Sequence, residues 1–330
     1  MEFLHWLIMD EAHRGLAMIG AGGPYGAPAL LGALFTAFVF FALRRRLRGR
    51  AAPLRLFVRA TFPSRILFHK SSWLDIRLWV LNGFVLGTAY SLFAIGSLSI
   101  RNLTEGGLTR LLGSHAPLEW PVWLVMAIAT LTQLLAYEFA YWFGHYLFHK
   151  YEALWEFHKV HHSAEVMTTF TELRQHPVEI LAFMNLIGLA TGLVFGVNTY
   201  LFGPGAHPFT LLNGNIVLML FLVTWGHLRH SHLWISFRGL AGHVFQSPAH
   251  HQIHHSDRPE HWDRNLGFCL AVWDWAFGTL YIPAAEREDI RFGVGATQSE
   301  FDTLKKAFVG PVARLTQHVA APAPEPLPRA

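Results

Sequence analysis

Charge is scarce in this chain. Only 15% of its 330 residues are Asp, Glu, Lys or Arg, against about 25% in a soluble globular domain. The deficit sits in long uncharged runs. A length that would suit one or two soluble domains therefore reads as a single membrane-embedded unit. Cysteine is scarcer still. Cys269 stands alone, which excludes an intrachain disulfide, an iron–sulfur cluster and a thiolate zinc site. The chain carries no GxGxxG dinucleotide fingerprint, no evident haem-binding module and no HExxH; the last disfavours a zinc protease. The net charge of +4 is modest, and basic residues bunch at the ends of apolar runs, as in Arg44, Arg45, Arg46, Arg48 and Arg50. That pattern suits anionic head groups. No folded basic domain follows, so nucleic acid is not an expected partner. No basic start precedes the first apolar residues, and Glu2, Asp10, Glu11 and Arg14 interrupt them; the first span is expected to be uncleaved.

A bilayer core of roughly 30 Å needs about 20 apolar residues in a helix. Five stretches meet or approach that length: 25–43, 78–100, 121–149, 180–202 and 208–226. The last two flank a Gly-Pro turn and read as a hairpin. The predicted fold is an all-α integral membrane protein, with four to five transmembrane helices and a cytoplasmic helical cap carrying the histidines. Three regions are expected. Residues 1–118 form an N-terminal membrane region with two spans. Residues 119–283 form the histidine-bearing region. Residues 284–330 form a C-terminal segment, disordered from about 320, where Pro and Ala dominate. The positive charges of 44–70 place that segment in the cytoplasm and the loop 101–120 outside. The third span and the hairpin then return both histidine-rich regions to one face. The expected location is a bacterial inner membrane with that face cytoplasmic.

What the chain has in excess is histidine: 21 residues, against 22 carboxylates. Three boxes stand out: His145-x-x-x-His149, His158-x-x-His161-His162 and His251-x-x-His254-His255. The second and third echo each other as HKVHHS and HQIHHS. Residues at i, i+3 and i+4 share one helix face, so each box presents convergent imidazoles. Neutral imidazole is the commonest metal-ligating side chain. Eight such rings exceed the needs of one four-coordinate ion and suit two. An all-nitrogen set favours iron, zinc, copper or nickel over magnesium or calcium. Between the boxes, His227-Leu-Arg-His230-Ser-His232 offers further ligands, His230 first and His227 second. Isolated histidines such as His115 and His207 read as loop residues.

These residues resemble the fatty acid hydroxylase/sterol desaturase superfamily, which is marked by HxxxH, HxxHH and a second HxxHH around membrane hairpins. EFAYWFGHYLFH at 138–149, WEFHKVHHSAE at 155–165, RQHPVE at 174–179, LRHSH at 228–232 and SPAHHQIHHS at 247–256 carry the likeness, closed by DRNLGFCLAVWDWAFGTLY at 263–281. It covers roughly 119–283. By position it implies nine metal ligands: His145, His149, His158, His161, His162, His230, His251, His254 and His255. His227 and His250 are further candidates; His250 turns the third box into HHxxHH. Glu138, two turns before His145 on the same face, and Asp274 are candidate outer partners of a ligand ring. Asp263 invites the same reading, and His176, ahead of Pro177, reads as a positioning residue. No catalytic base or nucleophile is evident. The resemblance implies two Fe ions using O2 to hydroxylate or desaturate a lipid. Electrons would come from a separate reductase or electron-carrier protein. A membrane zinc hydrolase or a metal transporter built on the same histidines is the alternative.

Overall fold

The computed structural model describes residues 25–320, together with Gly20 and Gly23. The expected uncleaved start and the Pro/Ala-rich tail lie outside the described residues. The main helices are α1 (Ala27–Leu47), α2 (Lys70–Val80), α3 (Ser97–Leu112), α4 (Val122–Lys150), α5 (Glu152–His162), α6 (Pro177–Phe202), α7 (Ile216–Thr224), α8 (Pro248–His254) and α9 (Leu304–Ala320). The described strands are the pair Thr210–Leu211 and Gly214–Asn215. The fold is thus mostly helical, as the sequence predicts. Three helices, α1, α4 and α6, are long and apolar enough to cross a membrane, and the chain is an integral membrane protein.

Two of the five expected spans are not continuous helices. The stretch 78–100 breaks into a π-helical turn at Leu81–Val85, a short helix at Gly87–Phe93 and an extended link before α3. Polar anchors explain the break. Asn82 donates to the carbonyls of Gln175 (2.9 Å) and Leu173 (3.4 Å) and accepts from the Tyr90 hydroxyl. At the link, the Ile95 amide donates to Asn185 of α6 at 2.6 Å. The stretch 208–226 opens with a hairpin whose turn residues Leu212 and Asn213 have positive φ. Only nine residues of helix follow, about 14 Å, half of what a bilayer core requires. The segment 101–120, expected as an external loop, is largely α3.

α3 runs along α6 on a glycine stripe. A Cβ added at Gly188, Gly192 or Gly196 would lie 2.3 Å from Ile95 O, 2.6 Å from Ile100 Cβ and 2.4 Å from Thr104 Cβ respectively. Three glycines four residues apart let two backbones approach as no larger side chain would, the usual means of close helix contact in membranes. α4 and α6 also pack together, with Asn198 donating to Thr132 at 2.9 Å. The cap ends of these helices carry the chemistry.

The cap is held by buried polar bonds. Arg174 is 1% exposed and pairs with Asp75 at 2.9 Å. It also donates to the carbonyls of Val160 and Ser163 at the end of α5. Asp75 in turn accepts from Thr171 and Thr168. One guanidinium thereby joins α2, the end of α5 and the 169–173 turn. Arg314 of α9 bonds Glu156 of α5, and His176 reaches the Phe308 carbonyl at 2.9 Å.

Candidate metal centre

Each box folds as its spacing predicts. His145 and His149 lie on the last two turns of α4, and His158, His161 and His162 end α5. Ser247 caps α8, which carries His251 and His254, with His255 at its C-cap. His230 follows the 3-10 turn Gly226–Leu228. The rings gather into two groups. His145, His149, His158, His162 and His254 form one; His161, His230, His251 and His255 form the other. Within each group one ligand atom per residue lies within 4.8 Å of all the rest. Among the described residues, the nine histidines predicted from sequence are the ones brought together.

The donor chemistry fits two ions. In the four-ring group the Nε2 atoms face each other: His251 to His230 at 2.8 Å, His255 to His251 at 3.1 Å and His230 to His161 at 3.3 Å. In the five-ring group the Nε2 atoms of His145 and His158 are 3.0 Å apart. Two nitrogens each bound to one ion at about 2.0–2.1 Å stand at such separations. The Nε2 atoms of His149, His162 and His254 are buried without hydrogen-bond partners, a costly state unless an ion takes the lone pair. The rings are also neutral. Burial first, then repulsion from neighbouring rings, holds His162, His251, His254 and His255 well below the ordinary imidazole range. His158 and His230 follow the same pattern. Burial pushes His161 down to about 3.

Partners of the far ring nitrogens set the tautomers. His145 Nδ1 donates to Leu266 O at 2.7 Å and His254 Nδ1 to Arg264 O at 2.9 Å. His158 Nδ1 lies 2.9 Å from Glu179 and His149 Nδ1 3.0 Å from Asp263. A carbonyl or carboxylate can only accept, so each ring carries its proton on Nδ1 and turns the Nε2 lone pair inward.

Several sequence expectations are corrected here. Neither Glu138 nor Asp274 touches a ligand ring. Glu138 accepts from the amides of Cys269 and Leu270, and Asp274 from those of Leu266 and Gly267. Asp274 also accepts from Trp142, Gln246 and Thr279. Both carboxylates pin the segment 266–270, and Leu266 then presents its carbonyl to His145. Arg229 completes that clamp on the Phe268 carbonyl at 3.2 Å. Glu179 backs His158 and was not singled out; its place in the first turn of α6, beside Pro177, was the available signal. Asp263 does meet a ring. His227 and His250 fall outside both groups. His227 lies 3.7 Å from Glu172, and His250 bonds the Ser247 hydroxyl at 2.6 Å as part of the cap of α8. His232 is turned to Ala60 O.

Two cavities adjoin the rings. The larger, about 1170 Å³, is lined by His161 and His230 together with Tyr25, Glu172, Phe183 and Met184. It follows α6 from Ile180 to Thr191, about 16 Å. The smaller, about 420 Å³, is lined by His149, His162, His254 and His255 with Trp155, Trp262 and Asp263.

The fatty acid hydroxylase family profile matches residues 130–279. The chain is 26% identical over 174 residues to human alkylglycerol monooxygenase, covering 53% of this chain and 35% of that protein. It is 29% identical over 152 residues to the Caenorhabditis elegans alkylglycerol monooxygenase, covering 46% and 26%. It is 29% identical over 168 residues to ornithine lipid hydroxylase OlsE of Rhizobium tropici, covering 51% and 45%. The matches thus span less than half of the length of these relatives. No solved structure matches the chain. Across the ring-bearing segment, with its buried histidine clusters, the chain is similar to the fatty acid hydroxylase family.

Proposed function

We propose that this chain is a membrane-bound diiron oxidoreductase that uses O2 to hydroxylate or desaturate a lipid, with residues 119–283 as its catalytic unit. The observation that carries the reading is the convergence of nine neutral rings in two groups beside a largely apolar cavity between membrane helices. When bound, a pair of ferrous ions would supply the reduction of O2 and the cleavage of an unactivated C–H bond; that chemistry belongs to the metals, and the protein fixes geometry and excludes water. The residues that would hold them are His145, His149, His158, His162 and His254 on one side, and His161, His230, His251 and His255 on the other. Leu266, Asp263, Glu179 and Arg264 orient four of the rings. The clamp of Glu138, Asp274 and Arg229 holds the 266–270 segment against the site.

The relatives are named for alkylglycerols and ornithine lipids, both amphiphiles. The large cavity suits such a substrate. It is apolar along Ile180, Met184 and Ile187 and polar near the rings, where Tyr25 donates to Glu172 at 3.3 Å. The electron donor is a separate reductase or carrier. The cap faces the cytoplasm of a bacterial inner membrane in this reading, because Arg44 and Arg48 at the end of α1 bond Glu286 and so mark the cap side as the positive side.

The test is reconstitution with Fe(II) under anaerobic conditions, followed by O2, reductant and extracted membrane lipid. The expected product is a lipid gaining oxygen or losing two hydrogens, absent without O2. Turnover without O2 or reductant would favour the zinc hydrolase, and histidine-dependent vesicle uptake of zinc the transporter. Comparative lipidomics of a deletion strain would then name the substrate.

A further inference from the structure

The two ring groups differ in how they are anchored. In the five-ring group, four Nδ1 atoms are tied, two to carbonyls and two to the carboxylates of Glu179 and Asp263. In the four-ring group, the Nδ1 atoms of His230, His251 and His255 are buried with no hydrogen-bond partner. The groups also differ in outlook. The large cavity is lined by His161 and His230 and by no ring of the five-ring group. A carboxylate behind an imidazole fixes its tautomer and raises its basicity, and losing such a partner lowers metal affinity by about 10–100-fold. A ring without one is the poorer donor.

We infer that the two metal positions are inequivalent: the five-ring position retains its ion, and the four-ring position, open to the lipid cavity, exchanges its ion readily. Glu179 and Asp263 are positioning residues for the first. This rests on the metal-binding reading above, and its readout is the ion count.

Load the chain in detergent with two Fe(II) per chain and challenge it anaerobically with a chelator, counting retained iron over time. The expected record has two phases of one ion each, at least about tenfold apart in rate. His251→Ala should abolish the fast phase and leave one slowly released ion. Asp263 is largely exposed, at 65%, so Asp263→Asn is expected to fold; it should speed the slow phase about 10–100-fold and leave the fast phase alone. Iron-57 Mössbauer spectra should show two doublets of equal area, with only one moved by Asp263→Asn. Release of both ions in one phase, or acceleration of the fast phase by Asp263→Asn, overturns the inequivalence while leaving the function standing. Failure to bind any iron defeats both.

Discussion

Helix α6 begins in one kind of structure and ends in another. In its first turn Glu179 is 0% exposed and meets His158 at 2.9 Å. Three to five turns on, Gly188, Gly192 and Gly196 offer α3 nothing but bare backbone. The cap is specified by direction: Glu179 meets His158 through a single oxygen, and the neighbouring Arg174 and Asp75 are committed to each other and to named partners. The membrane end is specified by shape, since lipid supplies no hydrophobic force between helices and close approach decides packing. A cap residue cannot be exchanged without stranding a partner. A membrane residue can be exchanged wherever the volume allows.

Substitutions on the two sides should break differently. His161→Ala removes one of four rings from its group, and its turnover should fall below detection. The protein should still insert in the membrane but retain about one ion per chain. Arg174→Ala strands Asp75, whose carboxyl burial already pushes upward against the pull of Arg174. A stranded partner of a buried pair costs about 3–5 kcal/mol, to be read from denaturant unfolding in detergent. Gly192→Leu tests the other end. Its Cβ alone would stand 2.6 Å from Ile100 Cβ and 2.7 Å from the Ser97 carbonyl, so α3 and α6 must move apart, a loss of at least about 1–3 kcal/mol, and the folded fraction should still bind two ions. Loss of metal in Gly192→Leu would show that the two ends are not separable.

Acid tests all of the cap rings at once. His158, His161, His162, His230, His251, His254 and His255 are all depressed in the folded chain. Below the ordinary imidazole value of 6.5 the unfolded chain therefore binds more protons than the folded one. Stability of the metal-free protein is present above that pH and is lost progressively as pH falls below it. A flat profile between pH 7 and 5 would contradict the burial of the rings.

The sequence made the rings legible because i, i+3 and i+4 spacing is a local property of a helix, and two copies of it beside an i, i+4 pair leave little room for accident. The partners of those rings were less so. Glu138 shares a face with His145, but seven residues of helix put them about 10 Å apart, beyond hydrogen-bond reach. Face arithmetic gives direction without distance. Asp263 and Glu179 meet their rings only through tertiary folding, with Asp263 at positive φ in an irregular segment. His227 and His230 differ by one turn of tight backbone, which spacing cannot rank. Hydropathy likewise counts side chains and not backbone breaks. It saw continuous spans at 78–100 and 208–226 where Asn82, Asn185 and the Leu212–Asn213 turn interrupt them.

The direct measurement is the number of ions held by the folded chain. Anaerobic loading with Fe(II), gel filtration in detergent and elemental analysis should give about two irons per chain, falling to about one in His251→Ala. Fewer than one iron per wild-type chain, or two that persist in His251→Ala, would contradict the account.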